Sequence, residues 1–365
     1  MPLSAIEVTG IAQYDAWQAR KYPAVEHLTQ RILSVPVVFP RHPMRYTLCY
    51  IFHDAHSCVL LDPGFASNSG FDQIDTALRV IGLGISDVTG IIATHFHIDH
   101  LGLARRVAAA SGAWVAMGQH ERHHLSAFES AADEIHQDQL RLRTWGVPAG
   151  RVSEAAMSEP MLVGLAGLAT PDTRIRDGET FQIAGHALTA VATPGHTPGH
   201  ICFWDHTESM VYSGDHVLPR ITPNVSLSIQ GETNPLERYL ASLRRIARND
   251  HYEVCPAHEY RFRGIAGRAR ELEAKSLARV GEVVDALDAG ANSVYDIARQ
   301  LTWSRGWSSL TGTALRLALG ETAAHVQYLV GKGLHEGVPG LPILEDGDPD
   351  RGVDSHAPTP HRLMP

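Results

Sequence analysis

The sequence predicts an α/β protein whose helices cover the faces of sheets, followed by a smaller helical segment. Three observations predict it. Short apolar runs alternate with helix-prone stretches between residues 31 and 117, as expected of sheets covered by helices. The turn dipeptides Asp177-Gly178 and Ala184-Gly185 flank the β-prone run Phe181-Gln182-Ile183, which is a hairpin signature. Beyond Gly264-Ile265-Ala266-Gly267 the apolar spacing becomes helical.

The elements follow in order. Residues 1–30 read as partly helical, with Tyr14 and Trp17 docking on the main body. Strands are expected at 31–37, 46–52 and 57–61. A helix at 72–81 is ended by Gly82 and Gly84. The run 90–93 is a short buried strand, 101–110 a helix and 114–117 another strand. Residues 119–160 are more polar and helix-prone, beginning Gln119-His120-Glu121-Arg122-His123-His124-Leu125. One or two helices over the mouth of a site are expected there, with a plain surface excursion as the equal alternative. Helices are expected again at 269–287, 293–301 and 313–330. Ser293 and Asp296 have capping-box-like spacing. Leu315, Leu319, Ala323, Val326 and Val330 form the stripe of the third of these helices, which Gly331 and Gly333 stop. Residues 334–344 fit a small hairpin, and helices followed by a hairpin suggest a winged helix. The run 345–365 is rich in Pro, Asp and Gly and reads as a disordered tail. The expected domains are 1–263, 264–344 and the tail 345–365.

Composition narrows the function classes. A hydrophobic content of 44% over 365 residues supports a packed core. Cys49, Cys58, Cys202 and Cys255 show no C-x-x-C spacing and read as small buried hydrophobes in a reducing compartment. Met1-Pro2-Leu3-Ser4 opens no secretory signal, and no apolar stretch approaches the ~20 residues of a membrane span. A cytoplasmic enzyme without a membrane partner is therefore expected. The net charge of −9 argues against a sequence-independent grip on nucleic acid. The arginines between 238 and 270 are interleaved with acids and read as a solvated helical face, with an anionic-substrate rim at Arg261 and Arg263 as the alternative.

The chemistry lies in four short motifs. Thr94-His95-Phe96-His97-Ile98-Asp99-His100-Leu101-Gly102 reads H-x-H-x-D-H and follows the strand Gly90-Ile91-Ile92-Ala93. Imidazole nitrogen with carboxylate oxygen suits zinc, and also iron or manganese. Residues two apart do not share a helix face, so the ligands must converge on extended or looping backbone. Thr193-Pro194-Gly195-His196, Ser213-Gly214-Asp215-His216 and Pro256-Ala257-His258-Glu259 each follow a β-prone lead. No G-x-S-x-G elbow is present to supply a serine nucleophile.

In these motifs, over residues 30–262, the chain resembles the metallo-β-lactamase superfamily, most closely its glyoxalase II-like hydrolases. The resemblance implies an αββα sandwich and a dinuclear site. His95, His97 and His196 would bind one divalent metal, Asp99, His100 and His258 the second, and Asp215 would bridge both. Zinc is the expected metal, with iron or manganese as alternatives. Ala257 departs from the glycine usual before the last histidine. Asp62 would support the site from a strand end, although an Asp before Pro63-Gly64 is equally read as opening a turn. His200 and His216 would lie around the ligands rather than among them. The C-terminal segment is similar to the winged-helix module of some of these hydrolases. Its third helix offers Arg316 but also Glu321, a poor phosphate grip, so packing or homodimer contact is its expected use.

Two cations bridged by a carboxylate activate a water and polarise a carbonyl or phosphoryl oxygen. The expected function is thus hydrolysis of an acyl thioester or carboxylic ester by metal-bound hydroxide, with Asp99 as the catalytic group. The expected partner is a small-molecule substrate. Alternatives are a lactone hydrolase, an endoribonuclease or other phosphodiesterase, and a non-enzymatic metal-bearing binding protein. A large inserted nucleic-acid-processing domain does not fit between Asp215 and His258.

Overall fold

The computed structural model describes residues 6–121, 130–227 and 234–341. Its first half builds one mixed sheet. Strands β3 (Ile32–Val38) and β4 (Tyr46–His53) pair antiparallel from Ile32↔Phe52 to Val38↔Tyr46. Beside them run β5 (Cys58–Leu61), β6 (Gly90–Ala93), β7 (Trp114–Gly118) and β8 (Thr173–Ile175), parallel to one another, with β2 (Glu26–His27) at the opposite edge. The second sheet is assembled mainly from the second half of the chain. Its order is β1 (Glu7–Val8), β14 (Phe262–Arg263), β13 (Glu253–Pro256), β12 (Met210–Gly214), β11 (Ile201–Asp205), β10 (His186–Ala192) and β9 (Thr180–Ile183).

Successive side chains on a strand point to opposite faces, so each strand feeds two cores. On β3 and β4, Ile32, Tyr46, Leu48, Tyr50 and Phe52 face inward and meet Leu188, Phe203, Tyr212 and Cys255 of the second sheet. Leu33, Val35, Val37, Cys49 and Ile51 face outward, against Ile74, Ala77 and Leu78 of helix α2 (Asn68–Val80) and Val107 of α3 (Ala104–Ser111). The outer face of the second sheet offers Cys202, Trp204, Val211 and Val254. Over it lie Leu236, Tyr239, Leu240 and Leu243 of α7 (Pro235–Ile246) and Ile265, Ala269 and Leu272 of α8 (Ile265–Asp288). Two sheets with helices on both outer faces form the αββα sandwich. This double burial explains why the strands read as continuous apolar runs. All four cysteines are buried and unpaired. No described helix is long and apolar enough to cross a membrane.

Several elements differ from expectation. Helix α2 starts at Asn68 because Ser67 caps it, its Oγ accepting the Gly70 amide at 2.9 Å. The expected helix at 101–110 begins only at Ala104, since the residues before it turn to serve the histidine loop. The N-terminal helix is short, α1 (Ile11–Gln18), and its Tyr14 and Trp17 pack edge-on against Tyr260 at 5.0 and 5.9 Å. The 119–160 region holds more helix than expected: α4 (Ala131–Thr144), α5 (Ala149–Ala155) and α6 (Glu159–Ala166). His123, His124 and Leu125 lie outside the described residues.

The helical segment after Gly264 does not stand alone. Leu142, Trp145, Val152 and Ala155 share a core with Val294 and Ala298 of α9 (Val294–Ala298) and with Leu315, Leu319 and Ala323 of α10 (Gly312–Gly331). Ser293 caps α9 as its spacing suggests, its Oγ accepting the Asp296 amide at 3.1 Å. Helix α10 is buried on most of its faces. Its Gly320 carbonyl accepts the Leu227 amide at 3.0 Å, and a Cβ at Gly320 would sit 2.8 Å from the Ser226 hydroxyl. Arg316 pairs with the fully buried Asp138 of α4. The hairpin expected at 334–344 shows no strand over 334–341, where the chain forms turns and coil. Residues 342–344 and the tail expected at 345–365 lie outside the described residues.

Candidate metal centre

The centre forms where loops leave the C-terminal ends of strands in both sheets. From the first sheet, β6 ends at Ala93 and the chain turns at once. Asp62, at the end of neighbouring β5, organises that turn. Its Oδ1 accepts the Thr94 amide at 2.8 Å, and its Oδ2 accepts the Thr94 hydroxyl and His100 Nδ1 at 2.9 Å each. Asp62 itself has φ of +54°, a left-handed conformation unusual for a residue with a side chain. Its side-chain bonds go to the histidine loop, as the supporting reading of this residue expects. The loop then doubles back, the amides of His100 and Leu101 donating to the His97 carbonyl at 3.0 and 2.9 Å. Gly102 closes it, because a Cβ there would lie 2.2 Å from the Ile98 carbonyl oxygen.

The second sheet delivers the remaining groups. His196 follows β10, Asp215 follows β12 and His258 follows β13. His196 Nε2 comes within 3.3 Å of His95 Nε2 and 3.1 Å of His97 Nδ1, and His95 Nε2 lies 2.8 Å from His97 Nδ1. Asp215 Oδ1 is 3.5 Å from His100 Nε2 and 3.3 Å from His258 Nε2, while its Oδ2 is 3.8 Å from His196 Nε2. Asp99 Oδ2 lies 3.4 Å from His258 Nε2. Three sets of donors are each mutually close enough to hold one ion: His95, His97 and His196; Asp99, His100 and His258; and His95, His100 and Asp215. All seven residues singled out in the sequence therefore meet, with Asp215 between the two triads.

Hydrogen bonds on the far sides of the rings set the tautomers. The single Thr94 hydroxyl proton goes to Asp62, so Thr94 Oγ1 accepts from His95 Nδ1 at 3.0 Å and His95 Nε2 is left bare. His196 Nδ1 donates to the Asn224 carbonyl at 2.7 Å, His258 Nδ1 to the Tyr46 carbonyl at 2.9 Å, and His100 Nδ1 to Asp62. Each of these rings, when neutral, points an unprotonated Nε2 at the centre, the form a metal needs. His100 Nε2, His258 Nε2 and Asp215 Oδ1 are buried with no hydrogen-bond partner. Unpartnered buried polar atoms cost stability unless something satisfies them. A divalent cation fits these donors.

Electrostatics divide the two triads. Burial, with the neighbouring histidines, pushes the pKa of His95 well below the usual value and that of His97 down to about 3. Burial also lowers His196, against the pull of Asp215. The first triad is therefore neutral near pH 7. Burial would lower His100 and His258 too, but the carboxylates around them outweigh it. Asp215 and Asp62 raise His100 well above the usual range, and Asp215 with Asp99 raises His258 to about 10. Asp99 and Asp215 are held low by the same two histidines despite their burial. Without cations, protons on His100 and His258 offset the two carboxylates, and a metal bound by these residues would displace them.

The surrounding groups hold the loops. His200 Nε2 accepts the Asp215 amide at 3.2 Å, and its Nδ1 meets the Thr193 hydroxyl at 2.8 Å. His216 is buried edge-on against Tyr239 at 5.2 Å and is not one of the grouped donors. Glu121 is the residue sequence reading missed. It is 1% exposed, and its Oε1 accepts the Thr197 hydroxyl and, at 3.2 Å, the Gly199 amide. The Phe96 amide also faces this carboxyl. Glu121 thus ties the loop carrying His95 and His97 to the loop carrying His196. Burial raises its pKa to about 8, against those hydrogen bonds. No motif marks it in the sequence. The anionic rim considered at Arg261 does not form, because Arg261 pairs with Glu253 and Glu26 at 2.5 and 2.6 Å. Arg263 donates to the His251 carbonyl at 2.9 Å.

A fold that carries this many imidazoles and carboxylates on strand-end loops is that of a metal-binding hydrolase. Residues 43–258 match the family model of the metallo-beta-lactamase superfamily, and the chain belongs to that superfamily. Among solved structures it is similar to the metallo-beta-lactamase family protein TTHA1429 from Thermus thermophilus. The TM-score is 0.72 at 27% identity, covering 84% of this chain and 95% of that one. The first 263 residues alone could not supply that share, so the likeness reaches into the helical segment. A beta-lactamase domain protein from Burkholderia ambifaria shares the fold, with a TM-score of 0.70 at 23% identity over 90% of this chain and 92% of that one. Among curated proteins, the chain is 28% identical to the atrochrysone carboxyl ACP thioesterase dmxR1 of Cryptosporiopsis sp., over 84% of this chain and 78% of that one. It is 25% identical to the lactamase-like protein adaB of Aspergillus niger, over 73% and 67% respectively.

Proposed function

We propose that this protein is a two-metal hydrolase of an acyl thioester or a related carboxylic ester, in the manner of glyoxalase II. The observation that carries the reading is the pair of donor triads with Asp215 between them. The likeness to a protein named as an acyl carrier protein thioesterase supports the thioester over other acyl bonds. Two divalent ions, zinc or else iron or manganese, would lower the pKa of a water and polarise the substrate carbonyl.

The protein's own groups do the rest. His95, His97 and His196 bring three neutral rings to one side, and Asp99, His100 and His258 complete the other. Asp99, besides completing the second triad, would accept a hydrogen bond from the attacking water and orient it toward the carbonyl carbon. Water attacks the carbonyl carbon, the C–S bond breaks, and the departing thiolate takes up the proton that the water gives up. The mouth beside Asp99 is aromatic. Phe39 stacks on His42 at 4.0 Å and on Phe65 at 4.6 Å, and His42 lies near enough to Asp99 and His258 to feel their charge. Such a wall suits an acyl group. The winged-helix reading of the C-terminal segment has no wing over 334–341 to support it.

The test is a hydrolysis screen of protein loaded with zinc, manganese or iron. It covers thioesters, simple esters, lactones, β-lactams and bis-p-nitrophenyl phosphate. Turnover of a thioester or ester that disappears in Asp99→Asn is expected. Turnover of the phosphodiester, with no acyl compound cleaved, refutes the proposal.

A further inference from the structure

A basic hollow lies between α1 and the β3–β4 loop. A hollow of about 670 Å³ is lined by Trp17, Gln18, Arg20, Pro43, Arg45 and Arg305. Three of these residues are arginines and none is acidic. Several other arginines of this chain are paired with acids, among them Arg244 with Glu273, Arg245 with Asp177, Arg261 with Glu253 and Arg316 with Asp138. Among the described residues no carboxylate pairs with Arg20, Arg45 or Arg305. Arg45 donates only to the Trp17 and Lys21 carbonyls, at 3.3 Å each. Three uncompensated guanidinium groups at one hollow stand out in a protein of net charge −9. They attract an anion, and guanidinium forks match phosphate oxygens.

One wall of the hollow belongs to the chain segment that leads into the metal centre. Pro43 and Arg45 lie on the loop that carries His42, and the next residue, Tyr46, holds His258 through its carbonyl. Trp17 packs on Tyr260, and the Arg220 guanidinium lies 4.2 Å from the Trp17 ring centroid. The Arg220 amide in turn donates to Glu259, the residue after His258, at 3.0 Å. The walls come from α1, the β3–β4 loop and the connection between α9 and α10. The C-terminal segment thus supplies Arg305 to a site whose chemistry lies in the sandwich.

We propose that this hollow binds a phosphate carried on the thiol arm of the substrate, remote from the bond that is cleaved. The inference rests on the thioester reading above. The phosphate of a phosphopantetheine arm has the right chemistry, whether the arm belongs to coenzyme A or to an acyl carrier protein. Phosphate in the hollow would anchor the arm while its thioester reaches the metal centre along the exposed His42.

The test compares ligands that differ only by that phosphate. Binding of 4′-phosphopantetheine and of pantetheine to the metal-loaded protein is measured by calorimetry. The phosphorylated arm is expected to bind at least about tenfold more tightly, a difference of roughly 1.4 kcal/mol. Arg20→Gln with Arg305→Gln, both on exposed side chains, should abolish most of that preference, and added salt should weaken it. Equal affinity of the two arms for the unsubstituted protein overturns the proposal, as does a preference that survives the double substitution. Kinetics then separate the inference from the reading beneath it. A phosphate preference without hydrolysis of any thioester keeps the site and refutes the thioesterase. Hydrolysis in which kcat/KM is the same for acyl-pantetheine and acyl-phosphopantetheine keeps the thioesterase and refutes the site. Comparing coenzyme A thioesters with carrier-protein thioesters identifies the natural bearer of the phosphate.

Discussion

Glu121→Gln is the most informative single substitution. The native carboxyl is buried, with its pKa raised to about 8 from a usual 4.5. It is thus protonated in the fold at pH 7 and ionised in the unfolded chain. A group whose folded pKa is raised binds more protons folded than unfolded between those two values. Its contribution to stability is fully present below pH 4.5 and is lost as pH rises through about 8. The slope across that window is about −1.4 kcal/mol per pH unit at most. Several kcal/mol of pH dependence therefore reside in one side chain. Glutamine keeps the shape and an acceptor oxygen for Thr197 and Gly199, and it cannot ionise. Chemical denaturation of both proteins, equally metal-loaded, at pH 5, 6, 7 and 8 is the assay. The variant should gain on the native protein steadily as pH rises. Parallel stability curves for the two would refute a carboxyl held neutral by burial. Glu121→Ala separates the ionisation from the tether, because it deprives the Gly199 amide and Thr197 hydroxyl of their acceptor at a cost of about 1–3 kcal/mol each.

Three further outcomes are expected. Metal analysis of the loaded protein should find about two ions per chain, and Asp215→Ala should lose metal and activity together; a ceiling of one ion under saturating zinc, iron and manganese contradicts the bridging role. Asp62→Ala removes the acceptor for the Thr94 amide, the Thr94 hydroxyl and His100 Nδ1, so metal affinity by chelator competition should fall about 10–100-fold; unchanged affinity would leave Asp62 a turn residue only. Arg316→Met leaves the buried Asp138 with Arg141 as its remaining cation and should destabilise the fold by about 3 kcal/mol in denaturant titration; an unaffected midpoint would mean that α4 and α10 do not depend on this pair.

The candidate site was legible because its ligands are concentrated in short motifs. His95, His97, Asp99 and His100 sit on one loop, and strand-end positions for His196, Asp215 and His258 follow from the apolar runs before them. The sandwich was legible for a related reason. Strands buried on both faces leave uninterrupted apolar runs, such as Cys58–Leu61 and Gly90–Ala93. What the sequence determined by itself was therefore local: which residues can bind metal, and which segments must be buried. The tertiary structure alone decided the rest. The carbonyls of Asn224 and Tyr46 that set the tautomers of His196 and His258 belong to backbone, which every residue has and no motif marks. Glu121 reads as a surface acid until the fold places it between two loops 76 residues from Thr197. The stretch that forms α4 and α5 can be read as a surface excursion in one dimension, and α10 shows an apolar stripe whose partner the sequence does not name. Each buries its apolar stripe against the other, across Arg316 and Asp138, which lie 178 residues apart. Periodicity reports that a face must be covered. Only the closed chain supplies the partner, because burial depends on distance in space and the sequence records distance along the chain.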